Sequence, residues 1–236
     1  MQRCGDEGAR ALLGVLLAGP VTPDLAGRAA AALDLPEDGR YAVVALPAGA
    51  GGDWGSGPDR LLWYPGPERD FAVAALGDGE PASLVRRLND MRVGRGGVGS
   101  AVASLAELPT GRRLAEVALL TCPADGTTVV ALERCLPAAL VVSQPELADR
   151  LVTGVLGPLL TLPEAERDVL VGTLEVWLEC GGSAGRAAVR LYCHRNTVLN
   201  RLRRLERLTA RSLSWPRELV ELTLALDALR LAPSPR

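Results

Sequence analysis

The sequence predicts an α+β chain: a sheet-and-helix region over about 22–142, then a region over about 143–236 that is helical throughout. Three observations carry this. Short apolar runs of strand length, punctuated by Gly and Pro, alternate with segments of helical period in the first region. Beyond about 143 the readable apolar patterns all have the helical period. Finally, arginine is concentrated in one stretch near the C-terminus, residues 183–211, SAGRAAVRLYCHRNTVLNRLRRLERLTAR.

In chain order, residues 6–18 read as an N-terminal helix within a segment 1–21, with Leu12, Leu13, Leu16 and Leu17 on one side and Pro20 ending it. The run ALLGVLLA at 11–18 has the look of a signal-peptide core. Asp6 and Glu7 stand where that signal needs basic residues, and no A-x-A cleavage site follows, so an amphipathic helix is expected. Residues 23–33 read as a second helix with Thr22 as its cap. Residues 41–46, YAVVAL, form a short apolar strand, and the Gly- and Pro-rich stretch 47–60 is expected to be a loop. Residues 61–64 and 71–76 read as strands joined through the turn-rich PGPERD. A helix over 81–92 turns Leu84, Val85 and Leu88 inward; 98–104 is a strand, 110–120 a helix and 127–132 a further strand. This alternation fits one sheet with helices packed on it.

In the second region, residues 145–152 read as a linking helix. Thr161-x-x-Glu164 spells a capping box, with Pro163 in the first turn, opening a helix that runs to Glu179. Leu170, Leu174, Trp177 and Leu178 are its core stripe, and Gly181-Gly182 ends it. A short helix over 183–191 follows, with Ser183 as cap and Ala187, Ala188 and Leu191 as its buried side. Pro216 starts the last helix, where Leu219, Leu222, Leu226 and Leu229 form a stripe for the domain core or for a dimer surface.

Residues 183–211 hold eight arginines and one acid, Glu206, about +7 on a chain whose formal net charge is −2, so the remainder carries about −9. A compact basic patch on an otherwise acidic protein points to a phosphate backbone as partner. On a helix over 195–209, Val198, Leu202 and Leu205 share one face, while Asn196, Asn200, Arg203 and Arg207 share the opposite one. His194 precedes this helix and is placed to cap it. Two helices joined by Tyr192, Cys193 and His194 read as a helix-turn-helix. In that motif the second helix enters the major groove, where Arg and Asn pair bidentately with guanine and adenine. Arg195, Asn196, Asn200 and Arg203 are therefore expected to read bases. Thr197, Arg201 and Arg204 on the flanks are expected to hold phosphates, as is Arg207, which lies too far from the helix start to reach the groove floor. The expected partner is double-stranded DNA. One reading helix covers half a site, so a homodimer is expected as well. The rival reading is a small-molecule-binding or protein-interaction module whose Arg-rich helix docks an acidic partner.

At these residues a family resemblance enters. The run LEVWLECGGSAGRAAVRLYCHRNTVLNRLRRLERLTARSL resembles the C-terminal helix-turn-helix of PucR/CdaR-type bacterial transcriptional regulators, matching at His194, Arg195, Asn196, Thr197, Arg201, Leu202, Arg203, Arg204, Glu206, Leu208 and Thr209. The chain departs from the pattern at Asn200, where Tyr is usual, at Cys180, where Asn is common, and at Ala210, where Gly usually ends the helix. The order of strands and helices over 22–142 is similar to the GGDEF-like domain that precedes the helix-turn-helix in such regulators. Diguanylate cyclases carry GG(D/E)EF on the hairpin and an acid on the first strand. Here the hairpin reads Gly66-Pro67-Glu68-Arg69-Asp70-Phe71 and 41–46 has no acid, so the resemblance implies a degenerate, non-catalytic regulatory domain. It implies a transcriptional regulator acting in the cytoplasm, responding to an effector that the sequence does not identify.

Other chemistries are disfavoured by spelling in the wrong context. Gly94-x-Gly96-x-x-Gly99 matches the dinucleotide fingerprint but follows a helix and leads into a strand, the reverse of what that site needs. Gly181-x-Ser183-x-Gly185 matches a hydrolase nucleophile elbow but follows a helix, and the one histidine lies among arginines. The chain has no lysine, so no Walker A loop is possible. The five cysteines show no CxxC spacing; reduced thiols and neither metal nor cofactor are expected. No apolar run approaches the roughly 20 residues that span a bilayer, and no membrane partner is expected.

Overall fold

The computed structural model describes residues 3–50 and 61–231, with side chains from Gly8 onward, and most of the expected Gly-rich loop lies outside the described residues. The chain divides into two compact units, Met1–Ala139 and Leu140–Arg236. The first contains α1 (Arg3–Ala18), α2 (Pro23–Leu33), β1 (Asp38–Pro47), β2 (Leu61–Pro65), β3 (Arg69–Ala75), α3 (Pro81–Asp90), β4 (Gly96–Val98), β5 (Val102–Ser104), α4 (Leu108–Leu120) and β6 (Val129–Ala131). A helix not read from the sequence, α5 (Leu136–Val142), runs across the division.

The six described strands form one sheet in the order β2-β3-β1-β4-β6, with β5 pairing a second stretch of β1. All described pairings are antiparallel except β4 with β6. β1 is the central strand, and Tyr41–Leu46 are all fully buried. Tyr41, Val43 and Ala45 pack with α1, α2 and α4, while Ala42, Val44 and Leu46 pack with α3. Covering both faces explains why β1 reads as an unbroken apolar run and does not alternate.

The sheet corrects two expectations. The strand expected over 98–104 is two short strands on the same edge of β1, interrupted after Val98, with the Gly99 N–H donating to the Val43 carbonyl at 2.9 Å. Asp70, expected in the PGPERD turn between the two strands, sits on β3 and is buried. The glycines of the 94–99 motif have a packing role. A Cβ on Gly97 would lie 2.2 Å from the Leu119 nitrogen, and one on Gly99 would lie 2.6 Å from the Gly111 carbonyl oxygen. Both glycines therefore let the β4 segment approach the backbone of α4. At the β6 edge, the outward N–H of Val129 donates to Asn89 Oδ1 at 2.7 Å, and Asn89 Nδ2 donates to the Val129 carbonyl at 3.0 Å. One side-chain amide thus occupies edge groups that would otherwise be open to a further strand.

The second unit contains α6 (Pro145–Leu160), α7 (Glu164–Glu179), α8 (Ala184–Arg190), α9 (Arg195–Thr209) and α10 (Pro216–Leu231). Its core joins Val155, Leu156 and Leu159 of α6, Leu170 and Leu174 of α7, Ala187 and Ala188 of α8, Val198, Leu202 and Leu205 of α9, and Leu222, Ala225 and Leu226 of α10. Two expectations are corrected here, and one left open between two readings is resolved. The linking helix continues past 152 to Leu160, through Gly154, Gly157 and Pro158, because Val155, Leu156 and Leu159 are buried and packing outweighs local propensity. The Thr161–Glu164 capping box does not form. Thr161 ends α6, its hydroxyl donating to the Pro158 carbonyl at 2.8 Å, and Pro163 occupies the N-cap of α7 without a side-chain bond. The Leu stripe of α10 is core: Leu222 and Leu226 are buried and Leu229 packs beside them, so it supplies no spare dimer surface.

Candidate nucleic-acid interface

α7 ends where Gly181 and Gly182 both take positive φ, a conformation that glycine adopts without penalty. The chain reverses into Ser183, whose Oγ accepts the Arg186 N–H at 3.3 Å and caps α8. α8 buries Ala184, Ala187 and Ala188; small side chains let it lie close to α9. Tyr192 turns the chain in a left-handed conformation with its side chain 97% exposed. His194 returns to extended backbone, and its Nδ1 accepts the Asn196 N–H at 3.2 Å. The single histidine is therefore the N-cap of α9.

α9 buries Val198, Leu202, Leu205 and Thr209 and exposes Arg195, Asn196, Asn200, Arg203, Arg204 and Arg207. Thr197 and Arg201 are half-buried. The expected apolar and polar faces are thus both present. α9 stands as a ridge between two open clefts. One, about 650 Å³, is bounded by Ser183 and Gly185 of the α8 side and by Arg195 and Arg203. The other, about 480 Å³, is bounded by Glu166 and Val169 of α7 and by Thr197, Asn200, Arg201 and Arg204. A projecting helix of about 10–12 Å diameter with side chains matches a major groove about 12 Å wide.

Hydrogen-bond accounting divides the eight expected contact residues. Among the described residues, Arg195 and Arg207 make no ion pair. Arg203 Nη1 donates to Asn200 Oδ1 at 3.2 Å. Arg201 instead turns back to α7, donating to Thr173 Oγ1 at 3.4 Å, and Thr173 is itself buried and donates to the Val169 carbonyl at 2.6 Å. Arg204 forms an ion pair with Glu166 of α7. Neither tie was read from the sequence, where Glu166 is one of several acids at the start of a helix.

The helix C-terminus is held by acids. Glu206 accepts the Leu213 N–H at 2.8 Å, and Arg211 pairs with Glu221 at 2.7 Å. The one acid inside the basic stretch therefore anchors the segment after α9. Ala210 ends α9 in the left-handed region, φ 50 and ψ 36, where the resembled pattern has Gly. On the far side of α8, Arg190 pairs with Glu179 at 2.7 Å, and that carboxylate raises the guanidinium above its ordinary range.

Fold and site together define a helix-turn-helix domain with an arginine- and asparagine-bearing second helix. Residues 170–228 match the PucR C-terminal helix-turn-helix domain, so the second unit carries a domain of that type. Over 68 residues the chain is 43% identical to the purine catabolism regulatory protein of Bacillus subtilis (strain 168), covering 29% of this chain and 13% of that protein. The match therefore takes in only a small part of that relative's length. Among solved structures the chain is similar to the regulator of polyketide synthase expression from Bifidobacterium adolescentis, with 18% identity, coverage of 94% of this chain and 92% of that one, and a TM-score of 0.44. Among the described residues no helix is long and apolar enough to cross a membrane, and no group of three or more His, Cys, Asp and Glu side chains is placed to hold a metal ion.

Proposed function

We propose that the chain is a sequence-specific DNA-binding transcriptional regulator that inserts α9 into the major groove. The domain match and the regulator relatives support a DNA-binding regulator. The single observation that carries the mechanism is the exposed face of α9, where Asn196, Asn200, Arg203 and Arg207 stand together opposite a buried Val198/Leu202/Leu205 face, with Arg195 exposed at the helix start. Arg195 and Asn196 lie in the first turn and reach base edges, with Asn200 and Arg203 one and two turns on. Thr197 and Arg207 hold phosphates. Arg201 and Arg204 can join them only by releasing α7.

The regulator works as a homodimer in the cytoplasm, each copy reading a half-site about one helical turn from the other. The first unit is a degenerate GGDEF-like domain that senses an effector or assembles copies and performs no nucleotide chemistry. β1 adds only Asp38, at its exposed end, to the acid-free core strand, and Asp70 is buried on β3 rather than paired with Glu68 at a hairpin tip. Metal-assisted phosphoryl transfer needs carboxylates gathered around Mg²⁺.

Selection of bound duplexes from a random pool by the full chain tests this reading. A two-fold symmetric consensus is expected. Asn196→Ala should then cost about 1–3 kcal/mol on the selected duplex and little on random DNA. Equal losses on both would remove the base-reading role, and failure to enrich any sequence would favour the docking of an acidic protein partner. Sedimentation of a monomer both free and on the selected duplex would contradict the dimer.

A further inference from the structure

The geometry points to Glu166 as an affinity-setting residue: it withholds Arg204 from the phosphate backbone and so lowers affinity for every duplex alike. This rests on the DNA-binding reading above and adds a residue of α7 to it.

Three observations place Glu166 in this role. Arg204 follows Arg203 by one residue on α9, so it projects about 100° around from Arg203 and about 40° from Asn200, onto the flank facing the start of α7. There its guanidinium pairs with the Glu166 carboxylate, the two side chains being 50% and 33% exposed. Both line the cleft between α7 and α9, together with Thr197 and Asn200 of the proposed DNA-facing surface. The pair is thus at the edge of the interface and not beneath it. A phosphate approaching this flank meets a carboxylate and a guanidinium whose charge is already matched.

The second tie makes the arrangement a clamp. Arg201, one turn back along α9, donates to Thr173, about two turns further along α7 and buried. These two bonds cross the same helix pair at separate points, fixing the rotation of α9 about its axis relative to α7. Arg203, between them in sequence, makes no ion pair among the described residues and donates to the neutral Asn200 amide, which leaves its charge to the groove. Neighbouring arginines are thereby sorted: Arg201 and Arg204 to α7, Arg203 to DNA. Phosphate contacts raise affinity for every sequence alike, whereas base contacts discriminate. Removing one cation from the phosphate-contact count therefore lowers affinity for every duplex by the same factor and leaves discrimination to the base contacts.

The test is the salt dependence of binding by the full chain to a random duplex and to the selected duplex. Each phosphate contact contributes a log–log slope of about −0.9. Glu166→Gln, nearly isosteric, should steepen the slope by about one on both duplexes, raise affinity for both several-fold at low salt, and leave the ratio between them unchanged. Arg204→Ala, in contrast, should keep the wild-type slope. Glu166→Gln combined with Arg204→Ala should return to that slope as well. An unchanged slope for Glu166→Gln would overturn the inference, as would a slope shallower by about one for Arg204→Ala. A double variant as steep as Glu166→Gln would also overturn it, because the gain would then come from the lost negative charge and not from Arg204. A wild-type chain with no salt-dependent duplex binding would instead sink the DNA-binding reading on which the inference rests.

Discussion

Arginines that are paired within the first unit and the outward arginines of α9 in the second have different fates. In the first unit, Arg69 and Arg112 converge on Glu116 at 3.7 and 3.2 Å, Arg112 also lies over the Phe71 ring at 4.6 Å from its centroid, and Arg40 pairs with Glu80 at 2.8 Å. On α9 of the second unit, Arg195 and Arg207 are exposed and make no ion pair among the described residues, and Arg203 bonds only a neutral carboxamide. Arginine alone does not separate a folded surface from a binding surface; the distribution of acids does. Cations matched within the fold have their charge satisfied at home, whereas cations collected on one face without acids are available to an external polyanion.

The largest expected effect lies beneath that face. Leu205 is fully buried in the helical core, and Leu205→Ala should destabilise the second unit by about 2–5 kcal/mol, read by urea unfolding. DNA binding should fall with it, since Leu205 is one of the buried residues that hold α9 and its outward stripe in place. A loss under 1 kcal/mol would mean that α9 is not anchored as described. Next, Arg207→Ala and Arg69→Ala contrast a free cation with a matched one. The first should shallow the duplex salt slope by about one. The second should leave the slope alone and cost about 0–1 kcal/mol of stability, as for a half-exposed ion pair. Equal slopes in the two variants would erase the distinction between the units.

A smaller effect is expected at the end of α9. Ala210 holds a left-handed conformation that costs a residue with a Cβ about 1–2 kcal/mol, so Ala210→Gly should raise the unfolding free energy by about 1 kcal/mol after the added flexibility of the unfolded chain is subtracted. No change would show that the helix ends differently in solution. The smallest effect concerns Asp227 of α10, half-buried in the second unit. Burial raises its carboxyl above the usual range, opposed by Arg230. A raised folded-state value means its contribution to stability is full at pH below the unfolded value and is lost as pH rises through the folded value. Asp227→Asn should therefore stabilise slightly at neutral pH and do nothing in acid, where Asp227 is itself protonated. A gain that persists unchanged at low pH would assign the effect to packing.

The sequence made α9 readable because several local signals agree there: an apolar face at helical spacing, a histidine cap, and arginines with few acids among them. Thr22 and Ser183 were legible as caps for the same reason, since a capping bond reaches only three residues along the chain. The Thr161–Glu164 box was spelled correctly but lost to a competing local bond, the free carbonyl of Pro158 at the end of α6. Long-range relations were not legible. Nothing near Glu166 in the chain shows that it faces Arg204, and nothing near Gly97 shows that α4 presses on it. The buried state of Asp70 likewise follows from sheet register, which places it opposite Leu46, and not from its turn-like neighbours.

The central claim, that the acid-poor face of α9 meets a phosphate backbone, is tested most directly by titrating the full chain onto duplex DNA across a range of salt concentrations. The predicted result is an association constant that falls log-linearly with a slope of several units, shallower by about one in Arg207→Ala. A salt-independent association, or one that Arg207→Ala leaves unaltered, would contradict it.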